Sequence, residues 1–96
     1  MPERSYLVAY DIASPRRWRH IYRLMKGYGE PVQLSVFSCR LDDRSCRDLL
    51  SALRGLIDPR EDRVMIAPIG ESGARRIQAL GRQADNVPPR RGPLIF

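Results

Sequence analysis

Seven consecutive residues, Tyr6–Ile12 (YLVAYDI), are rich in strand formers and apolar except for one acid, and a helix start follows them at once. Such a run is a buried strand. Ser14-Pro15 supplies an N-cap and a proline at the first helical position. Trp18, Ile21, Tyr22 and Met25 then recur at helical spacing, and Gly27-Tyr28-Gly29 ends the helix. The same switch from a period of two to a period of 3.6 occurs again. Val32–Leu41 (VQLSVFSCRL) alternates as one bent strand or two short ones, with no Gly or Asn-Gly to mark a turn. Asp42 or Asp43 can cap a second helix carrying Cys46, Leu49, Leu50, Leu53 and Leu56, which Asp58-Pro59 closes. Arg63–Ile69 is a further strand, with Pro68 confining its end to an edge. Arg75–Leu80 fits a strand or a helical turn.

Strand, helix, strand or strands, helix, strand, strand is the order of an α+β, ferredoxin-like βαββαβ sandwich with helices on one face of an antiparallel sheet. The expected division is a domain over residues 1–83, then a proline- and charge-rich linker and a last strand over 84–96. At 96 residues one domain is expected, and its core is marginal enough that a partner subunit would add useful burial. Two cysteines, Cys39 and Cys46, make no disulfide framework and read as small apolar fillers. The opening residues lack the basic start and apolar run of a secretory leader, and no stretch approaches the ~20 apolar residues of a membrane span. The expectation is a cytoplasmic protein with no membrane partner.

Seventeen Lys and Arg against eleven Asp and Glu leave a net charge of +6 and a pI near 10.1, and Lys26 is the single lysine. This balance favours a polyanion, because each phosphate neutralised releases condensed counterions. Arginine's planar fork suits phosphate, although a GC-rich genome would enrich arginine as well.

Asp11 is the only acid between Glu3 and Glu30 and stands at the end of an apolar strand. Desolvating a carboxylate there costs free energy unless something pairs with it. One reading is an ion pair with Arg16, Arg17 or Arg19, or a cap on the first helix. The other is a ligand to Mg²⁺, which is commonly held by one or two carboxylates plus water and phosphate. His20 reads as an exposed helix residue, and Ser14 and Ser35 have no histidine-aspartate partners.

Tyr10-Asp11-Ile12, the arginine-rich helix Arg16–Arg23, Gly27-Tyr28-Gly29 and Val32-Gln33-Leu34-Ser35-Val36-Phe37 stand in fixed order and spacing. Together with Arg63–Ile69, Ile77–Gly81 and the apolar Pro93–Phe96, they resemble the second universal CRISPR-associated protein family, small adaptation proteins also described as endoribonucleases. The resemblance implies a ferredoxin-like homodimer in which two aspartates face each other across the interface. Asp11 matches that catalytic, metal-binding position, with Mg²⁺ the implied cofactor. Tyr10 and Phe37 match aromatic positions near it and, with Arg16, Arg17 and Arg19, are the candidates for nucleic-acid contact; the arginines otherwise form a solvated helix face, and packing in the dimer core is the favoured alternative for Phe37. Leu94, Ile95 and Phe96 would dock on the other subunit. The implied partners are duplex DNA or single-stranded RNA and the adaptation integrase. Pro31 stands where a basic residue is frequent in the family, and Ser38-Cys39 where an acid or small residue is, so the resemblance does not fix substrate preference. Two functions of different kinds follow: metal-assisted phosphodiester hydrolysis resting on Asp11, or a non-catalytic DNA-binding scaffold resting on the arginines. A toxin-like messenger-RNA nuclease shares the fold.

Overall fold

In a computed structural model, which describes residues 2–81, the chain runs β1 (Arg4–Asp11), α1 (Pro15–Lys26), β2 (Gly29–Gln33), β3 (Val36–Leu41), α2 (Asp43–Leu56), β4 (Arg63–Pro68) and α3 (Gly70–Arg75). The four strands form one antiparallel sheet in the order β2-β3-β1-β4. This is the expected ferredoxin-like α+β arrangement. The expected fifth strand, and with it Leu94, Ile95 and Phe96, lies outside the described residues. Among the described residues no helix is long and apolar enough to cross a membrane.

The sheet's two faces differ. Tyr6, Val8 and Tyr10 of β1 point to one side, where they bury with Phe37, Cys39 and Leu41 of β3, Ile21 and Met25 of α1, and Leu49 and Leu53 of α2. Side chains on a strand alternate, so Leu7, Ala9 and Asp11 point to the other side. Val8, Ile21, Met25, Phe37 and Leu49 are wholly buried, and each such side chain contributes roughly 1.5–3 kcal/mol of transfer free energy. Both long helices therefore cover one face; the short α3 lies close to β1, and just before it the Ile69 amide donates to the Ser5 carbonyl at 3.0 Å, extending the β1–β4 ladder.

The caps are as the sequence implies. The Ser14 Oγ accepts from the Arg17 amide at 3.2 Å, with Pro15 opening α1. Of the two candidates for α2, Asp42 is the cap, its Oδ1 accepting from the Ser45 amide at 2.7 Å.

Three boundaries move. The Val32–Leu41 stretch is a hairpin, turning at Leu34-Ser35, and its first strand already begins at Gly29. The turn needs no Asn-Gly because bonds from outside the hairpin hold it. The Tyr10 amide donates to the Ser35 carbonyl at 3.0 Å, the Tyr10 hydroxyl to the Leu34 carbonyl at 3.0 Å, and the Trp18 indole N–H to the Ser35 Oγ at 3.0 Å. Gly29 does more than end a helix, since a Cβ there would collide with the Ser38 carbonyl oxygen and Cys39. Finally, the last short helix falls at Gly70–Arg75, so residues 77–80 form neither of the two structures considered for them. Pro31 is accommodated because β2 is an edge strand, with a register irregularity between Pro31 and Gln33.

Candidate metal and nucleic-acid site

β1 ends at Asp11 on the open side of the sheet, with Arg63 of β4 as its register partner. One step back, Ala9 lies between Val36 of β3 and Met65 of β4. The carboxylate is thus at the rim of an apolar strip made by Leu7, Ala9, Val36, Met65 and Ala67. Met65 is 57% exposed, and Leu34, in the nearby turn, is 51% exposed. Asp11 is itself exposed and makes no salt bridge or side-chain hydrogen bond among the described residues. Neither structural duty open to it in the sequence is the one it performs: Ser14 caps α1, and Arg17 pairs with other acids.

The chain on either side of Asp11 is fixed in place. Tyr10, just before it, is tied by amide and hydroxyl to the Leu34-Ser35 turn. Ala13, just after it, donates its amide to the Asp62 Oδ1 at 3.0 Å. Asp62 stands in the loop before β4 with a side chain wholly removed from solvent. Its Oδ2 accepts from the Arg17 Nε at 2.7 Å and the Asp58 amide at 2.8 Å, while the Arg17 Nη2 reaches its Oδ1 at 3.1 Å. The same Nη2 also bonds Glu61 Oε1 at 3.1 Å. This two-pronged guanidinium contact, helped by the two amides, holds the Asp62 carboxyl well below the usual carboxylate range.

Sorting the cations by partner separates them into two groups. The salt bridges among the described residues use Arg17, Arg40, Arg60 and Arg75. Arg16, Arg19, Arg23 and Lys26 take part in none, and all four are exposed. At 100° per residue they share the outer face of α1 with His20, and the helix contains no acid. Arg17 projects to the side, toward the β4 loop. Lys26 lies 5.8 Å from the centre of the Tyr22 ring.

Both aromatic candidates lie in the core, the place favoured for Phe37. Phe37 is wholly buried, with Tyr10 stacked at 6.3 Å and Tyr22 edge-on at 5.4 Å between ring centres. Tyr10 is 6% exposed. Both rings point into the helix-covered core, because positions 8, 10 and 37 share that face, and neither offers a surface to a base in this chain. Burial pushes the Cys39 thiol up to about 11, with Cys46 nearby adding to the effect. It stays a neutral filler.

Among the described residues no three His, Cys, Asp or Glu side chains gather as a metal-ligand set. Asp11 nevertheless fits a hard cation such as Mg²⁺ in one respect: it presents free carboxylate oxygens. One chain supplies one such ligand at this end of the sheet, the lower end of the one or two carboxylates that commonly hold Mg²⁺. Sequence reasoning did not identify Asp62, Trp18 or Ser35 as parts of this region. The close spacing of the acids Asp58, Glu61 and Asp62 is the signal that could have pointed to it.

Comparison with known proteins identifies the family. Residues 4–77 match the family described as CRISPR associated protein Cas2. A Rhodospirillum rubrum protein named CRISPR-associated endoribonuclease Cas2 1 is 45% identical over 91 residues, covering 85% of this chain and 89% of that protein. A Thermus thermophilus protein named CRISPR-associated endonuclease Cas2 2 is 43% identical, covering 84% of this chain and 86% of its own length. The crystal structure of Streptococcus pyogenes Cas2 superposes with a TM-score of 0.75 at 33% identity, covering 80% of this chain and 99% of that one. With the match spanning all four strands and both long helices, the chain belongs to the Cas2 family of CRISPR-associated proteins.

Proposed function

We propose that this protein is a homodimeric, Mg²⁺-dependent nuclease of CRISPR adaptation that holds nucleic acid by its phosphates. The observation that carries this reading is the exposed, unpaired carboxylate of Asp11 at the rim of an apolar sheet face. Packing two copies through that face would bury Leu7, Val36 and Met65 and bring two Asp11 side chains toward a common axis. The interface is isologous. The two carboxylates would then hold the cation together, with water and substrate phosphate completing its shell. The chemistry such a cation supplies is polarisation of a phosphoryl oxygen and of bound water. The protein's own contribution is placement: Tyr10 and Asp62 fix the chain on either side of Asp11, and the outer face of α1 engages phosphate through Arg16 and Arg19. The names of the relatives, endoribonuclease in one case and endonuclease in another, support phosphodiester hydrolysis and leave RNA or DNA to be determined.

Asp11→Asn keeps the shape and removes the charge. It should abolish Mg²⁺-dependent cleavage of RNA and DNA while duplex binding persists. Equal cleavage by highly purified wild type and variant would refute the nuclease reading. Deleting residues 92–96 should weaken dimerisation in sedimentation experiments, since the tail is proposed to add a strand to the other subunit. An unchanged monomer–dimer equilibrium would remove the tail from the interface.

A second reading is favoured by one observation. Four exposed cations outside the salt bridges among the described residues, Arg16, Arg19, Arg23 and Lys26, line α1 on the helix-covered side of the sheet, whereas Asp11 is on the other side with the exposed Arg63 as its register partner. Binding and chemistry are therefore separable, and the same dimer serves as a scaffold that presents duplex DNA to the adaptation integrase.

A further inference from the structure

Arg17 carries the same charge as Arg16 and Arg19 and stands between them in sequence, yet its surroundings give it another task. It donates from two nitrogens to Asp62, at 2.7 and 3.1 Å, and from one of them to Glu61 at 3.1 Å. The Asp62 carboxylate accepts from three separate parts of the chain: α1 through Arg17, the loop before β4 through the Asp58 amide, and the segment leaving β1 through the Ala13 amide. Ala13 is two residues from Asp11. Next to Asp62 on the other side is Arg63, the register partner of Asp11 on β4. Asp62 thus holds both the chain that follows Asp11 and the start of the strand beside it.

An exposed carboxylate at a strand end has no packing of its own to hold it. Its position is set by the backbone on either side, and metal and phosphate chemistry is sensitive to displacements of about 1 Å. On the Tyr10 side the hairpin turn fixes that backbone; on the Ala13 side the fixing group is Asp62. We infer that Asp62 and Arg17 form a positioning pair for Asp11: Arg17 orients the Asp62 carboxylate, Asp62 fixes the Ala13 amide, and Arg17 takes no part in holding phosphate. The inference rests on the metal-binding reading of Asp11 and adds two residues to it that touch neither metal nor substrate.

The test measures Mn²⁺ binding to the intact dimer by electron paramagnetic resonance, alongside cleavage, at a temperature where circular dichroism shows each variant folded. Asp62→Asn and Arg17→Lys are compared with wild type and Asp11→Asn. The Asn variant retains an acceptor but loses the charge that recruits Arg17. The Lys variant keeps the charge and loses the fork, so it stays informative if the first fails to fold. Both should weaken Mn²⁺ binding roughly five-fold or more and lower kcat with little change in KM. Their duplex affinity and its salt dependence should match wild type. A purely stabilising pair would lower the melting temperature and leave Mn²⁺ affinity unmoved. Wild-type Mn²⁺ affinity in both variants, with Asp11→Asn defective, would overturn the positioning role alone. Wild-type affinity in Asp11→Asn as well would overturn the metal reading together with it. A salt slope flattened by about one unit in Arg17→Lys would show that Arg17 contacts phosphate and would also overturn the assignment.

Discussion

Replacing Phe37 with leucine separates a core residue from a base-stacking one. Phe37 is wholly buried and meets two rings, Tyr10 stacked at 6.3 Å and Tyr22 edge-on at 5.4 Å. Leucine removes both ring contacts, each worth ~0.5–1.5 kcal/mol beyond burial, and leaves part of the ring's volume empty. Full truncation of a buried phenylalanine costs ~3–5 kcal/mol, so the leucine variant should lose about 2 kcal/mol. In a domain of this size each kcal/mol lowers the melting temperature by roughly 4–8 °C. The expected fall is therefore roughly 8–16 °C, measured at fixed protein concentration because a dimer's stability depends on it. A stacked base, by contrast, contributes ~1–3 kcal/mol of binding, or roughly 5- to 150-fold in affinity. Fluorescence anisotropy with a single-stranded RNA at 15 °C, where the variant stays folded, should show unchanged affinity. A ten-fold loss of affinity with little change in melting temperature would refute the packing argument and return Phe37 to the nucleic-acid surface.

Two further outcomes concern stability. Asp62 titrates below the usual carboxylate range in the folded state, chiefly through Arg17. Its contribution is therefore complete above the unfolded value of about 3.9 and is lost as pH falls through the lower folded value. The gap in melting temperature between wild type and Asp62→Asn should be constant from pH 7 to about 5 and should narrow below about pH 4; a gap independent of pH would show that charge is not what Asp62 supplies. Gly29→Ala drives a methyl into the Ser38 carbonyl and Cys39 and should cost about 1–3 kcal/mol in urea unfolding, an unchanged midpoint showing that the hairpin yields without strain.

The elements were legible because their signals are local. Tyr6, Val8 and Tyr10 alternate with Leu7, Ala9 and Asp11, and Ile21 and Met25 recur at helical spacing. Ser14 and Asp42 are side chains whose only requirement for capping is a neighbouring amide. The hairpin was not legible for the opposite reason. Its turn carries Leu34 and Ser35, neither of which favours a turn, and it is held by Tyr10 and Trp18, 24 and 17 residues away in sequence. Asp11 stood out because a lone acid on an apolar strand conflicts with its surroundings. Asp62 did not, because acids before a strand look like an ordinary loop until the Arg17 fork and the Ala13 amide are seen to converge on it.

The arginines show where reading by residue type reaches its limit. Arg16, Arg17 and Arg19 are equivalent to a charge count, and a basic helix near a candidate carboxylate invites assigning all three to phosphate. Helical geometry separates them. A step of 100° turns Arg17 away from the line through Arg16, Arg19, Arg23 and Lys26 and aims it at the loop before β4, where two acids await it. The outward line of four, with no acid on its helix, remains available to a polyanion. Each phosphate neutralised contributes about −0.9 to the salt slope on duplex DNA, so one α1 helix can account for at most about −3.6. The net charge of +6 is not a measure of this surface alone, because among the described residues five of the eleven acids that offset the cations pair with Arg17, Arg40, Arg60 and Arg75. The Arg17–Asp62 pair frames the segment around Asp11, and the four exposed cations of α1 stand outside the salt bridges among the described residues.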